Sequence, residues 1–394
     1  MKSLSASPST VRDRDTRKAW RIYYLHPLMT SPDRLIDEME RCVAMGFNTV
    51  LMPPLFRPSS DGNIFLTADY DALHPAVGEG KTDEYLAVLA EAARARGLAL
   101  HLDLVIDRLA LDGTQAGHQP EWFRIAARDA GAPPDPRDPP EAPNIAEVRF
   151  DVEAVARAMT DWWAERLVAW TRLGISGFRC KRPDRIPAIV WQELMALTRQ
   201  SAPGCVFLAW TPGMQLAEQE RLAGLGFDAV FSSARWWDFR SPWLVEEHAR
   251  QRRIAPSIAF PEAPFGERLA SEYHGADEVQ AACRRALWLA AFAGDGLLIP
   301  MGYEYAARRP LDAVHGDPTE LDRLRQSTGI DLTNDIAEVN GWIAERNFAC
   351  GHGALISLPG GGADASALVR TNLASPACSD DAFLLLANAS LHRS

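Results

Sequence analysis

The sequence predicts a parallel (β/α)8 barrel, on three observations. Short apolar runs recur eight times between residues 21 and 300, at strand length. Amphipathic stretches of helical period separate most of them, the alternation expected of a parallel sheet. No Gly-x-Gly-x-x-Gly turn follows the first run, which disfavours a doubly wound open sheet.

In order, the first strand is expected at 21–26, and its helix at 32–45 is closed by Gly46. The second strand, 49–52, is halted by Pro53 and Pro54. A helix at 82–96 precedes the third strand at 98–104, and a helix at 152–173 precedes the fourth at 177–180. The helix at 187–200 leads to the fifth strand, 206–209. The sixth, seventh and eighth follow at 229–232, 257–260 and 297–300, with a helix at 277–293 before the last. The longest connection, 109–149, follows the third strand and is rich in Pro, Asp and Gly. Loops at the C-terminal ends of barrel strands form the ligand face, so this one is expected to shape a cleft. Beyond residue 305 a helix at 334–347 and strand-like runs at 354–357 and 382–387 suggest the start of a β-sandwich, too short to close alone. The expected organisation is a polar, flexible tail at 1–19, a barrel at 20–310, and a helix with a partial sandwich at 311–394.

Apolar residues at 47% and charged residues at 24% suit a soluble globular chain rather than a disordered one. A net charge of −11 argues against nucleic acid or an anionic membrane as partner, whereas a neutral sugar polymer is compatible. No apolar run approaches bilayer-spanning length. The six cysteines show no CxxC pairing, so buried free thiols in a reducing cytoplasm are expected. His101, His118 and Asp184 are not spaced as metal ligands; no metal and no cofactor are expected. Twelve tryptophans point mainly to core packing, Trp162, Trp163 and Trp170 among them; Trp236, Trp237 and Trp243 flank the sixth strand, where an aromatic face could meet sugar.

Several motifs fall on these elements in a telling order. Asp69-Tyr70-Asp71-Ala72-Leu73-His74-Pro75 follows the second strand, and His101-Leu102-Asp103-Leu104-Val105-Ile106 makes the third. His118-Gln119-Pro120-Glu121-Trp122-Phe123 lies in the long connection. Gly177-Phe178-Arg179-Cys180-Lys181-Arg182-Pro183 runs through the fourth strand, and Phe207-Leu208-Ala209-Trp210 through the fifth. Together they resemble the α-amylase family, glycoside hydrolase family 13, and within it the maltose-1-phosphate maltosyltransferases that extend α-1,4-glucan. The likeness covers roughly residues 20 to 390.

The resemblance implies a barrel acting on α-glucan or maltooligosaccharide, with one carboxylate nucleophile after the fourth strand and an acid/base carboxyl after the fifth, about 5 Å apart. Here those two positions are Lys181 and Trp210. An ammonium repels the developing positive charge of the transition state, and an indole has no proton to lend at a useful pKa. Only the third acidic position is matched, by Glu262, the sole retained catalytic candidate. Asp103 and Arg179 match a hydrogen-bonded pair at the barrel floor, and Phe65 matches an aromatic stacked on the reacting ring. Asp107 and Arg108 replace an Asn-His sugar contact, and Glu304 reads as structural. Lys181 is expected to pair with Asp103 or Glu262 rather than to form a Schiff base. Trp210 is expected either to offer a sugar platform or to plug the cleft.

The leading expectation is therefore a catalytically degenerate domain that binds or positions α-glucan, with Phe65, Asp103, Arg179, Trp210, Trp236 and Trp237 as contact residues. A catalytic maltosyltransferase domain or subunit is the protein partner to expect. Two alternatives remain: an active transferase or hydrolase using displaced carboxylates such as Asp184 or Glu262, and a purely structural partner module.

Overall fold

A computed structural model describes residues 19–125, 144–346, 353–358, 365–371 and 381–388. Eight strands close into a parallel barrel: β1 (Arg21–Tyr24), β2 (Thr49–Met52), β3 (Ala99–Leu104), β4 (Gly177–Cys180), β5 (Val206–Ala209), β6 (Ala229–Phe231), β7 (Ser257–Ala259) and β8 (Gly296–Pro300). Each pairs with its sequence neighbours, and β8 returns to β1. Both faces of such strands are covered, which is why they read as continuous apolar runs. Phe178 and Phe207, register partners on β4 and β5, are fully buried.

Helices α1 (Leu35–Ala44), α2 (Thr82–Ala95), α3 (Glu153–Arg172), α4 (Ala188–Ser201), α5 (Leu216–Glu220), α6 (Trp243–Gln251) and α7 (Ala276–Ala293) surround the barrel. On α3, Trp163 and Trp170 are buried while Trp162 is partly so, and Trp170 stacks on Phe56 at 4.9 Å and 11°. These tryptophans are core, as their helical spacing suggested.

Gly177 opens the fourth-strand motif because nothing larger fits. A Cβ there would come within 2.4 Å of Val206 Cγ2 and 2.7 Å of His101 Nε2. The backbone is dictated by this close approach of neighbouring strands.

Three features differ from expectation. Phe56–Pro58 and Thr67–Leu73 form a bulged antiparallel pair after β2, unforeseen because Asp and Pro dilute their alternation. The long connection carries Arg108–Ala110, Phe123–Ile125 and Ile145–Val148 in one small antiparallel sheet with Ile145–Val148 central, rather than being only a loop. At the C-terminal end, Leu355–Leu358, Ala365–Thr371 and Ala382–Asn388 form one three-stranded antiparallel sheet that packs on α6 and α7. Its middle strand escaped notice because Ser366, Arg370 and Thr371 break the apolar run; Arg370 is wholly buried and points into the barrel side. The expected tail lies outside the described residues except for Ala19, which is buried in the core.

Candidate functional site at the barrel mouth

The parallel ladder brings the motif residues to one end. Asp103 on β3 and Arg179 on β4 are register partners, so their side chains meet on the barrel interior. Arg179 donates from Nε to Asp103 Oδ1 at 2.6 Å and from Nη2 to Oδ2 at 2.7 Å, a bidentate pair. Tyr24 on β1 adds its hydroxyl to Oδ2 at 2.7 Å. Burial, then the Asp103 charge, pushes the Tyr24 phenol far above its ordinary range, so it stays a donor. The expected floor pair is present in this geometry.

Immediately beyond the ends of β4 and β5, Lys181 N donates to Leu104 O and Trp210 N to Cys180 O, which sets both residues at the mouth. Lys181 Nζ lies 5.1 Å above the Phe65 ring and 5.3 Å from the Trp210 ring. Trp210 is 4% exposed and stacks on Phe260 at 5.2 Å and 16°, with Phe231 at 5.0 Å and the Arg179 guanidinium at 4.8 Å. Trp236, half-buried, meets Phe260 edge-on. These rings fill the space over β5, β6 and β7. Trp210 is packed among these rings rather than open to solvent.

Glu262 is buried and bonded at both oxygens. Arg268 Nη1 donates to Oε1 and Leu269 N donates to Oε2 at 2.9 Å. Arg268 also donates to Arg309 O and Met301 O, so Glu262 ties the loop after β7 to the loop after β8. Of the two carboxylates expected to face Lys181, Asp103 is bonded by Arg179 and Glu262 by Arg268. Asp184 pairs with Arg182 at 3.3 Å and lines a separate groove with Pro187 and Leu222, away from Lys181. Trp237 donates to Ser241 O and lines a small pocket of about 200 Å³ beside Phe239, apart from the mouth. Glu304 accepts from Tyr23 and from Gly302 N, the structural role expected.

Open space remains on the other side of the mouth. A cavity of about 760 Å³ is lined by Phe65, Lys181 and Phe265, by His26 after β1, by Asp107 after β3, and by the 309–317 segment after β8. That volume suits a small organic ligand. Four cationic side chains (Arg108, Lys181, Arg182, Arg309) and four carboxylates (Asp107, Asp312, Asp317, Glu320) line it. Phe265, at φ 64°, packs edge-on against Tyr24, His26 and Phe65. His26 Nε2 sits 2.8 Å from Asp312 O, and burial pushes the imidazole down to about 4, so the ring is neutral near pH 7. His26 and Phe265 were not singled out from the sequence. A polar residue ending a barrel strand was the available signal for His26. Among the described residues no group of three or more His, Cys, Asp or Glu is placed to hold a metal ion.

Comparison with known proteins agrees with this architecture. No family model matches the chain. The α-1,4-glucan:maltose-1-phosphate maltosyltransferase of Burkholderia pseudomallei is 35% identical over 357 residues, covering 89% of this chain and 31% of that protein. This chain is a relative of the maltosyltransferases of glycoside hydrolase family 13. The maltosyltransferase of Pseudomonas aeruginosa is 26% identical over 227 residues, 52% of this chain and 33% of that protein. The chain thus spans about a third of the length of these curated relatives. Among solved structures, an α-amylase from Lactobacillus plantarum superposes with a TM-score of 0.68 at 17% identity, covering 89% of this chain and 87% of that one. A maltogenic α-amylase from Thermotoga neapolitana gives 0.68 at 16% identity, covering 94% and 86%. These structural matches establish the α-amylase-type barrel fold.

Proposed function

We propose that this maltosyltransferase relative is a catalytically silent barrel of α-glucan metabolism, acting in the cytoplasm, that holds a short α-glucan at its mouth without making or breaking a glycosidic bond. One observation carries the reading: an ammonium and a plugged indole stand at Lys181 and Trp210, where the family's chemistry takes two carboxyl groups about 5 Å apart. Its support extends to Glu262, whose oxygens are committed to Arg268 and Leu269. The retained cavity beside Phe65 supports binding. The expected contacts at Asp103, Arg179 and Trp210 become, on this reading, the floor and wall of the site.

The test is direct. Purified chain incubated with maltose 1-phosphate and glycogen should release phosphate only at the background rate, while maltooligosaccharides should bind in a calorimetric titration. Phosphate release that disappears in Glu262→Gln would falsify catalytic silence. An absence of glucan binding at millimolar ligand would remove the binding half of the reading.

A second role is favoured by relative lengths. In the Burkholderia protein 357 matched residues make 31% of the whole, whereas in the Pseudomonas protein 227 make 33%, so the former is much the longer polypeptide. Such a length accommodates a barrel like this one beside a complete maltosyltransferase. On that reading the chain positions glucan for, or braces, a catalytic domain or subunit. Co-purification with an active maltosyltransferase and a change in that enzyme's KM for glycogen would bear it out.

A further inference from the structure

The C-terminal sheet is apolar on both faces, although only one of them packs on the barrel. Register partners share a face, so Leu355, Arg370 and Phe383 lie on the same side as Ser357, Leu368 and Leu385. On that side Leu355, Leu368 and Arg370 are buried, and Phe383 and Leu385 lie against the core. The opposite side carries two cross-strand rows, one of Ile356, Val369 and Leu384 and one of Leu358, Ala367 and Leu386. All six are apolar, and Leu358, Leu384 and Leu386 are 43%, 57% and 72% exposed. Three of the ten large apolar side chains exposed among the described residues thus fall on one sheet face. A sheet with a solvated face alternates apolar with polar residues, and single exposed leucines elsewhere are ordinary. Two complete apolar rows side by side mark a surface made to be covered by a second layer.

The chemistry of the face selects its cover. Neither row contains a charged residue, while the whole chain carries a net charge of −11, so like copies meet with least repulsion at this patch. An uncharged apolar face is its own complement, which is what a two-fold interface requires. The rim fits the same symmetry. Exposed Asp381 stands at the start of Ala382–Asn388, and Arg284 and Arg285 flank the far end, where Arg285 Nη1 donates to Asn388 O at 3.0 Å. Antiparallel strands across a two-fold axis bring the acidic end of each copy towards the basic end of the other.

From this arrangement we infer that two copies of the chain associate through their C-terminal sheets, packed face to face so that each supplies one layer of an intermolecular β-sandwich. Layers packed in this way lie about 10 Å apart with their side chains interdigitated, which buries both rows of both copies. None of the six residues lines the cavity at the barrel mouth, so the inference is independent of glucan binding there.

Sedimentation velocity of the whole chain tests it. The wild-type chain should sediment as a dimer at micromolar concentration. Leu384→Lys and Leu386→Lys should each weaken that association about 100-fold by setting a cation in the apolar layer. Both positions are exposed in the single chain, so at concentrations low enough to dissociate the wild type all three proteins should melt together. Val88→Lys, at a comparably exposed apolar position on α2, should leave the dimer intact. A wild-type chain that stays monomeric at millimolar concentration would overturn the inference, as would a dimer that neither leucine change weakens. A monomer that instead co-sediments with a purified maltosyltransferase, and loses it in Leu386→Lys, would give the face to that partner and overturn self-association.

Discussion

Trp210 lies flat on Phe260, ring centroids 5.2 Å apart, at the position after β5 where the family's acid/base residue would project. On the proposed reading, the indole puts packed core where the family's chemistry would need a carboxyl group. Restoring a carboxyl by Trp210→Glu should therefore damage the fold before it restores chemistry. Loss of a buried tryptophan costs about 3–5 kcal/mol, and the new carboxylate would lie among Phe231, Phe260 and Trp236. Urea denaturation should show a loss of that order, and Lys181→Asp/Trp210→Glu should still release phosphate at background. A stable, active double variant would show that the two positions alone had silenced the site.

Beneath that plug, the Asp103–Arg179 pair predicts a stability effect independent of any ligand. Removing one member leaves the other charged, buried and uncompensated, at a cost of about 3–5 kcal/mol. Asp103→Ala should lose that much by urea denaturation. Replacing both members with apolar residues should cost markedly less than the sum of the single changes. Additive losses would contradict a coupled pair.

Acid sensitivity follows from two buried histidines. Burial pushes both His26 and His101 from 6.5 down to about 4. Above pH 6.5 both are neutral whether folded or unfolded, so neither gives stability a slope. Between pH 6.5 and about 4 the unfolded chain binds protons that the folded chain refuses, and stability falls as pH falls. At about 1.4 kcal/mol per pKa unit, each histidine contributes a loss of about 3 kcal/mol by the acid end of that window. Urea denaturation at pH 7.5 and pH 5 should reveal the drop, and His26→Gln should shrink it. A level response in both proteins would rule the histidines out.

The barrel was legible because parallel strands buried on both faces appear as short continuous apolar runs, and 49–52, 177–180 and 206–209 match β2, β4 and β5 residue for residue. The placement of Lys181 and Trp210 was legible for a different reason: both follow immediately after recognisable strand ends. What escaped depended on tertiary partners. The bond that Arg268, six residues on, folds back to make with Glu262 is one example. His26 Nδ1 and Asp107 Oδ1 are buried without a hydrogen-bond partner, and satisfaction of an acceptor is a property of the packed chain. The strand Ala365–Thr371 was hidden because Arg370 interrupts it, and only the fold shows what that arginine binds.

Arg370 carries the last prediction. Wholly buried, it donates to Phe292 O at 3.0 Å and Ala293 O at 2.8 Å at the end of α7, and it pairs with buried Asp295. Asp295 in turn accepts from Ser257 N at the start of β7, so one guanidinium joins the C-terminal sheet to a helix end and a barrel strand. Arg370→Met keeps the apolar stem but strands the carboxylate and the helix carbonyls. The expected loss is about 3–5 kcal/mol. Hydrogen exchange should accelerate across Ala365–Thr371 and the last turn of α7, while β3 and β4 stay protected. Adding Asp295→Asn should recover part of the loss, because the amide needs no counter-charge. Unchanged exchange in the sheet after Arg370→Met would mean that apolar contacts from Leu355 and Leu368 alone hold it to the barrel.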